Sequence, residues 1–119
     1  MPRQLLFFPA VLLVLLTGCA TTPPLYWWGS YEPLIYSQYA DPNEATTEHQ
    51  IIKLEADIQK ARAKNRALPP GFYAHLGTLY FQQGETELAR RAFETEKAAF
   101  PESAVLMDRL LARLQEAPR

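Results

Sequence analysis

The chain has 119 residues, a formal net charge of −1, two histidines and one cysteine. That length sets one small domain. The nearly balanced charge, with Lys and Arg interleaved among Asp and Glu, excludes a nucleic-acid binder of the basic-patch kind. A lone cysteine excludes an internal disulfide.

From the N-terminus, Arg3 precedes a run from Leu5 to Val14 that is apolar throughout, followed by Leu16-Thr17-Gly18-Cys19. A basic start, an apolar middle and small residues at the cut are the layout of an export signal. The apolar stretch, interrupted at Pro9, spans about a dozen residues, whereas a membrane-crossing helix needs about 20. Gly18 directly before Cys19 resembles the lipobox of bacterial lipoproteins, in which the thiol is acylated and the chain is cut just before it. That resemblance implies a cleaved signal peptide over 1–18 and Cys19 as the lipidated first residue of the mature chain. Ala20 follows it, with no aspartate, which by the same resemblance implies sorting to the outer membrane, facing the periplasm. A buried structural cysteine fits poorly, because Thr17, Gly18, Ala20, Thr21, Thr22 and Pro23 cannot build a core. Each buried methylene contributes about 0.8 kcal/mol, so a multiply acylated cysteine anchors the chain firmly.

Residues 19–25 read as a tether. Pro23-Pro24 favours extended polyproline geometry, and from Cys19 to Leu25 the reach is roughly 20 Å. An aromatic-rich segment, 26–40, follows and holds both tryptophans and Tyr26, Tyr31, Tyr36 and Tyr39. Gly29 marks a turn, Pro33 suits the opening of a short helix, and Tyr36 and Tyr39 then share one face. Glu32 is placed to hydrogen-bond a tyrosine or to cap that helix. The aromatic block has three readings: Trp28, Tyr31 and Tyr36 cover the helical core, or they anchor a partner, or they sit at headgroup level beside the anchor.

Residues 41–119 form the helical domain. Asp41-Pro42-Asn43-Glu44 has the form of a capped helix start, with Asp41 as N-cap, Pro42 at the first position and Glu44 closing a capping box. This helix is expected to run to about Arg66. Its apolar stripe is Ile51, Leu54, Ile58, Ala61 and Asn65, and its solvated face carries Glu48, Lys53, Glu55, Asp57, Lys60, Arg62 and Lys64. Pro69-Pro70-Gly71 terminates it.

Between Pro70 and Pro101 the residues fall on a two-helix pattern. Tyr73, Leu76, Gly77, Tyr80 and Phe81 recur at helical spacing before Gly84, and Leu88, Ala89, Ala92, Phe93 and Phe100 recur before Pro101. The order Tyr73, Leu76, Gly77, Tyr80, Gly84, Ala89, Phe93, Pro101 resembles one tetratricopeptide repeat. Glu96 departs from it, standing where that repeat has a small residue. A single copy cannot bury its own faces, so the flanking helices must cap it. The last helix, from about Ser103, has Met107, Leu110, Leu111 and Leu114 on the face that would do so. The expected fold is all-α, a small right-handed stack with one tetratricopeptide-like hairpin and no sheet.

The lipobox, Tyr26-x-Trp28-Gly29-x-Tyr31-Glu32, Tyr36, and Glu96-Lys97-Ala98-x-Phe100-Pro101-Glu102-Ser103 together resemble a domain-of-unknown-function family of small proteobacterial lipoproteins. Members are typically encoded beside a lipoprotein similar to the curli secretion channel. The resemblance therefore implies a role in envelope secretion or assembly, with envelope proteins, a curli-channel-like lipoprotein among them, as partners.

Catalytic chemistry has little to stand on. His49 reads as a surface residue of the first long helix and His75 as the edge of a packed face. The chain has no zinc-protease histidine pair, cysteine cluster, phosphate-cradling glycine loop or nucleophile elbow. Glu94 and Glu96, two apart on a helix, point different ways. The expectation is a non-enzymatic accessory lipoprotein without metal, cofactor or small-molecule substrate, held to the membrane by its lipid. Its rival is a regulatory lipoprotein modulating a peptidoglycan or envelope-stress enzyme.

Overall fold

A computed structural model describes residues 22–43 and 45–116. The signal segment, Cys19 and Glu44 lie outside the described residues. Helices α1 (Tyr31–Ala40), α2 (Thr47–Ala63), α3 (Phe72–Gln82), α4 (Thr86–Ala99) and α5 (Ala104–Glu116) follow one another, with a 3₁₀ turn at Pro101–Ser103 before the last. The all-helical expectation holds. Among the described residues there is no strand, only an isolated parallel bridge between Tyr26 and Ala67.

The tightest pair is α3 with α4, flanked by α2 on one side and α5 on the other. Their shared core is built from Leu54 of α2, Phe72, Leu76, Leu79 and Tyr80 of α3, Ala89, Ala92 and Phe93 of α4, and Met107 and Leu114 of α5, with Leu34 of α1 joining at the edge. Among the described residues the core side chains run from Leu34 to Leu114. Phe72 and Leu79 are core residues outside the repeat pattern, whereas Phe81 and Leu88, which fitted the spacing, are each 39% exposed.

The start of the long helix differs from expectation. Asp41 does not cap α2; it closes α1, its backbone N–H donating to Ser37 O at 2.8 Å. The reason is Pro42. A residue before proline is pushed out of the α region, and Asp41 sits at φ −148°, ψ 80°. The N-cap of α2 is Thr46, whose side chain accepts from the His49 N–H at 3.3 Å.

The helix also stops earlier, at Ala63. Asn65 adopts φ 49°, the Asn65 N–H reaches Arg62 O at 3.0 Å, and the Arg66 N–H reaches Ala61 O at 2.9 Å. This is a Schellman closure with Asn in the left-handed position. Asn65 is therefore a terminator, not the end of an apolar stripe.

Past α3 the same closure recurs around Gly84, with Glu85 N–H on Tyr80 O at 2.9 Å. Pro101 stops α4 as expected, and α5 buries Met107 and Leu114. On the outer face of α4, Arg90 pairs with Glu87 at 2.6 Å and with Glu94 at 2.8 Å. Such exposed pairs add little.

Candidate functional site

Two buried carboxylates organise the molecule. Asp57 is 1% exposed and Glu96 is 2% exposed, although sequence periodicity placed Asp57 on a solvated face. Asp57 Oδ2 accepts the Ser30 N–H at 2.6 Å, and Ser30 is the N-cap residue of α1. Glu96 Oε1 accepts the Gly71 N–H at 2.6 Å and its Oε2 the Tyr73 N–H at 3.2 Å, at the start of α3. The first N–H groups of a helix have no partner within it, and a carboxylate there also meets the positive end of the helix dipole. Each acid thus fixes where a neighbouring helix begins. Glu96 occupies the position where the resembling repeat has a small residue, and its burial has this cause. Asp57, expected on the solvated face, serves Ser30 instead.

These anchors explain the aromatic segment. Gly29 has φ +47°, and a Cβ there would lie 2.5 Å from Asp57 Cγ, so the chain meets the carboxylate through bare backbone. Two residues later, Tyr31 lays its ring against Phe72 (centroids 5.5 Å apart) and His75 (6.1 Å). Trp28 stacks on Tyr31 at 6.3 Å with 22° between the planes, and remains 44% exposed. Tyr36 is 72% exposed and Tyr39 83%. The segment is therefore split: Tyr31 covers the core, Trp28 is half in contact, and Tyr36 does not pack on the helical stack as the covering reading required. Glu32 is exposed in the first turn of α1, and its side chain does not cap the helix.

Burial raises the pKa of the Tyr31 hydroxyl, and the charge of Glu96 raises it further. Tyr73 is likewise raised by burial; Arg62 works against that and Glu96 with it. Tyr80 donates its hydroxyl to Glu55 Oε1 at 2.6 Å and is raised by burial and by that bond. All three stay neutral phenols near pH 7, serving as hydrogen-bond donors and packing surface.

A polar cluster lies beside Tyr31. His75 Nε2 stands 3.1 Å from Gln50 Oε1, which also accepts from Gln38 Nε2 at 2.9 Å, while Gln50 Nε2 donates to Ala45 O at 2.8 Å. His75 is half-buried, as the sequence suggested, and His49 is exposed. Burial lowers the His75 pKa below its ordinary 6.5. The unfolded chain then binds the proton more readily than the native one, so native stability is full above about pH 6.5 and falls as pH drops toward the lower native value. His75→Gln is expected to lose less stability than the wild type between about pH 7.5 and pH 5, measured by urea unfolding. Equal losses in the two proteins would refute the assignment.

At the end of the stack where the tether enters, Tyr26 packs edge-on against Phe100 with centroids 6.2 Å apart. The Trp27 N–H bonds Ala67 O at 2.7 Å. Arg66 Nη2 donates to Pro24 O and to Tyr26 O. Beside them a groove of about 440 Å³ is lined by Tyr26, Ile58, Arg62, Arg66, Tyr73 and Phe100, with smaller residues between. Lys64 Nζ stands 5.0 Å from the centre of the Trp27 ring. Helical periodicity places Lys60, Arg62 and Lys64 on a face shared with acids. After Asp57, however, Lys60, Arg62, Lys64 and Arg66 follow with no intervening acid.

A family model described as a domain of unknown function, DUF4810, matches residues 25–110. The chain belongs to the DUF4810 family. The match runs from the tether side of Tyr26 through most of α5, so the aromatic segment and the helical hairpin form one DUF4810 domain. No curated protein and no solved structure matches the chain. Among the described residues of this domain, no three His, Cys, Asp or Glu side chains converge as metal ligands. No described helix is long and apolar enough to cross a membrane.

The repeat-signature residues divide by role. Leu76, Gly77, Tyr80, Ala89 and Phe93 are buried at the α3–α4 contact, Tyr73 lies at the groove, and Gly84 and Pro101 punctuate the helices.

Proposed function

We propose that this DUF4810 protein is a non-enzymatic lipoprotein, anchored through an acylated Cys19 in the outer membrane and facing the periplasm. Its helical domain serves as a protein-binding accessory of an envelope secretion or assembly complex. The observation that carries the reading is Gly18-Cys19, the lone cysteine, placed after a short apolar run and only a few residues before the folded domain. The hairpin of α3 and α4 is read as one tetratricopeptide-like unit, supported by the close approach of Gly77 to Phe93, and α2 and α5 are read as its caps.

The partner surface is assigned to the exposed Trp28, Tyr36 and Tyr39, because exposed Tyr and Trp are the side chains from which binding hot spots are built. A curli-channel-like lipoprotein is the partner class that the family resemblance supplies.

Mass analysis of the native protein tests the anchor. It is expected to find residues 1–18 removed and acyl chains on Cys19, with Cys19→Ser accumulating as an uncut, unacylated precursor. A native product with its leader attached and a bare thiol would overturn the proposal. The binding half is tested by a photocrosslinker at Tyr36, which should capture a specific envelope protein that the same label at Arg91 does not.

A further inference from the structure

We infer that the end of the domain where the tether enters is a docking face for the anionic headgroups of the bilayer itself. The inference rests on the anchor reading for its geometry and on the structure for its chemistry. Arg66 holds the backbone oxygens of Pro24 and Tyr26, so the tether leaves the fold at that guanidinium. Pro24 comes five positions after Cys19, which limits their separation to roughly 18 Å at full extension. A domain tied so closely cannot present an arbitrary side to the lipid. The side surrounding Pro24 faces the surface.

That side carries Arg62, Lys64 and Arg66, with Lys60 one helical turn before Lys64. Among the described residues none of these cations is in an ion pair, while Asp57 and Glu96, bonded only to neutral N–H groups, keep their charge buried behind this face. Asp108 is turned to Lys97 at 2.6 Å. Glu102, two residues past Phe100, is the exposed carboxylate nearest this end along the chain.

Three further features suit a lipid surface. Leu25 is 76% exposed at the point of entry, the Trp27 ring lies beneath Lys64, and the groove between Arg62 and Arg66 is walled by Tyr26, Tyr73 and Phe100. Cations over amphipathic rings, beside an apolar side chain, are the composition that seats proteins at headgroup level. Such a face fixes how the domain stands on the membrane, leaving α1 and its exposed tyrosines free for a partner.

The test uses the full-length chain with Cys19→Ser, which has no acylation site, mixed with vesicles of phosphatidylcholine alone or with phosphatidylglycerol added. The expected result is binding to the anionic vesicles only, with a blue shift of tryptophan emission, weakening as salt is raised. Each cation at an anionic surface contributes roughly fivefold, so Arg62→Gln with Lys64→Gln should lower the partition coefficient about 25-fold. Arg91→Gln with Arg113→Gln, an equal charge change toward the far ends of α4 and α5, should leave it within about twofold; circular dichroism checks that both variants fold. Absence of binding, equal binding to neutral vesicles, or equal losses in the two variants would overturn the docking face.

Competition of the anionic vesicles by a peptide with a free C-terminal carboxylate, at a site that neutral vesicles leave open, would assign the groove to a peptide and overturn it as well. Because no acyl chain takes part, the outcome is separate from that of the anchor. An acylated Cys19 with no preference for anionic lipid refutes the docking face alone, and a bare Cys19 with the preference intact refutes the anchor alone.

Discussion

Glu96→Ala is expected to destabilise the domain by about 3 kcal/mol. The carboxylate is 2% exposed and accepts two backbone N–H groups at the start of α3. Removing it orphans both donors, at about 1–3 kcal/mol for each group left unsatisfied. It also opens a void between α3 and α4 and takes a negative charge away from the positive end of a helix. Against this stands the relief of burying one charge, which offsets part of the loss. For a domain of this size, about 3 kcal/mol corresponds to a fall in Tm of roughly 12–20 °C, read by calorimetry. Glu96→Gln keeps one acceptor oxygen and should lose about half as much. A loss below about 1 kcal/mol for the alanine variant would mean that water replaces the carboxylate at no cost, and that Glu96 does not set the start of α3.

Glu96 and Asp57 also mark where sequence reading stops. Helical periodicity assigns Asp57 to solvent, and Glu96 stands out only as a departure from the repeat, with no reason for its place. The signal that could have found them is their register. Gln50, Leu54, Asp57 and Ala61 recur at spacings of four, three and four and are the buried residues of α2. Ala89, Ala92, Phe93 and Glu96 continue in the same way along α4. A polar residue that extends an apolar stripe is a candidate for burial with a partner, but the partner is a helix terminus from elsewhere in the chain. No local pattern names it.

What was legible had local causes. The apolar spacing of α3 and α5, the turn at Gly84 and the stop at Pro101 are each written within a few residues. The start of α2 differs from expectation because two local rules compete at Asp41-Pro42. Asp before Pro can cap a helix that begins, yet the same proline forces its predecessor out of helical geometry and so ends the helix behind it. The structure resolves that competition in favour of ending α1. Gly29 and Tyr31 have no reason for their places in the local spacing. The reason is tertiary: one presses on Asp57, the other covers Phe72 and His75.

The sign of a single substitution tests the packing of the central hairpin. A glycine inside an exposed helix gains about 1 kcal/mol when changed to alanine, through the better helix propensity of alanine. Gly77 lies within α3, so propensity alone predicts a gain. A Cβ there would stand 2.5 Å from Phe93 Cε1 and 2.7 Å from Cδ1, however, and Phe93 is only 2% exposed. The ring is hemmed in by the rest of the core and cannot swing clear without opening the α3–α4 contact. Overpacking of this kind costs about 1–3 kcal/mol, and contacts this short belong at its upper end or beyond. Gly77→Ala is therefore expected to lose about 2 kcal/mol net in urea unfolding, with the slope unchanged. Phe93→Leu alone leaves a cavity and also destabilises. Combined with Gly77→Ala, the smaller side chain makes room for the added methyl, so the pair should lie at least 1 kcal/mol above the sum of the single losses. A neutral or stabilising Gly77→Ala, or simple additivity with Phe93→Leu, would show that the two helices do not meet at this point.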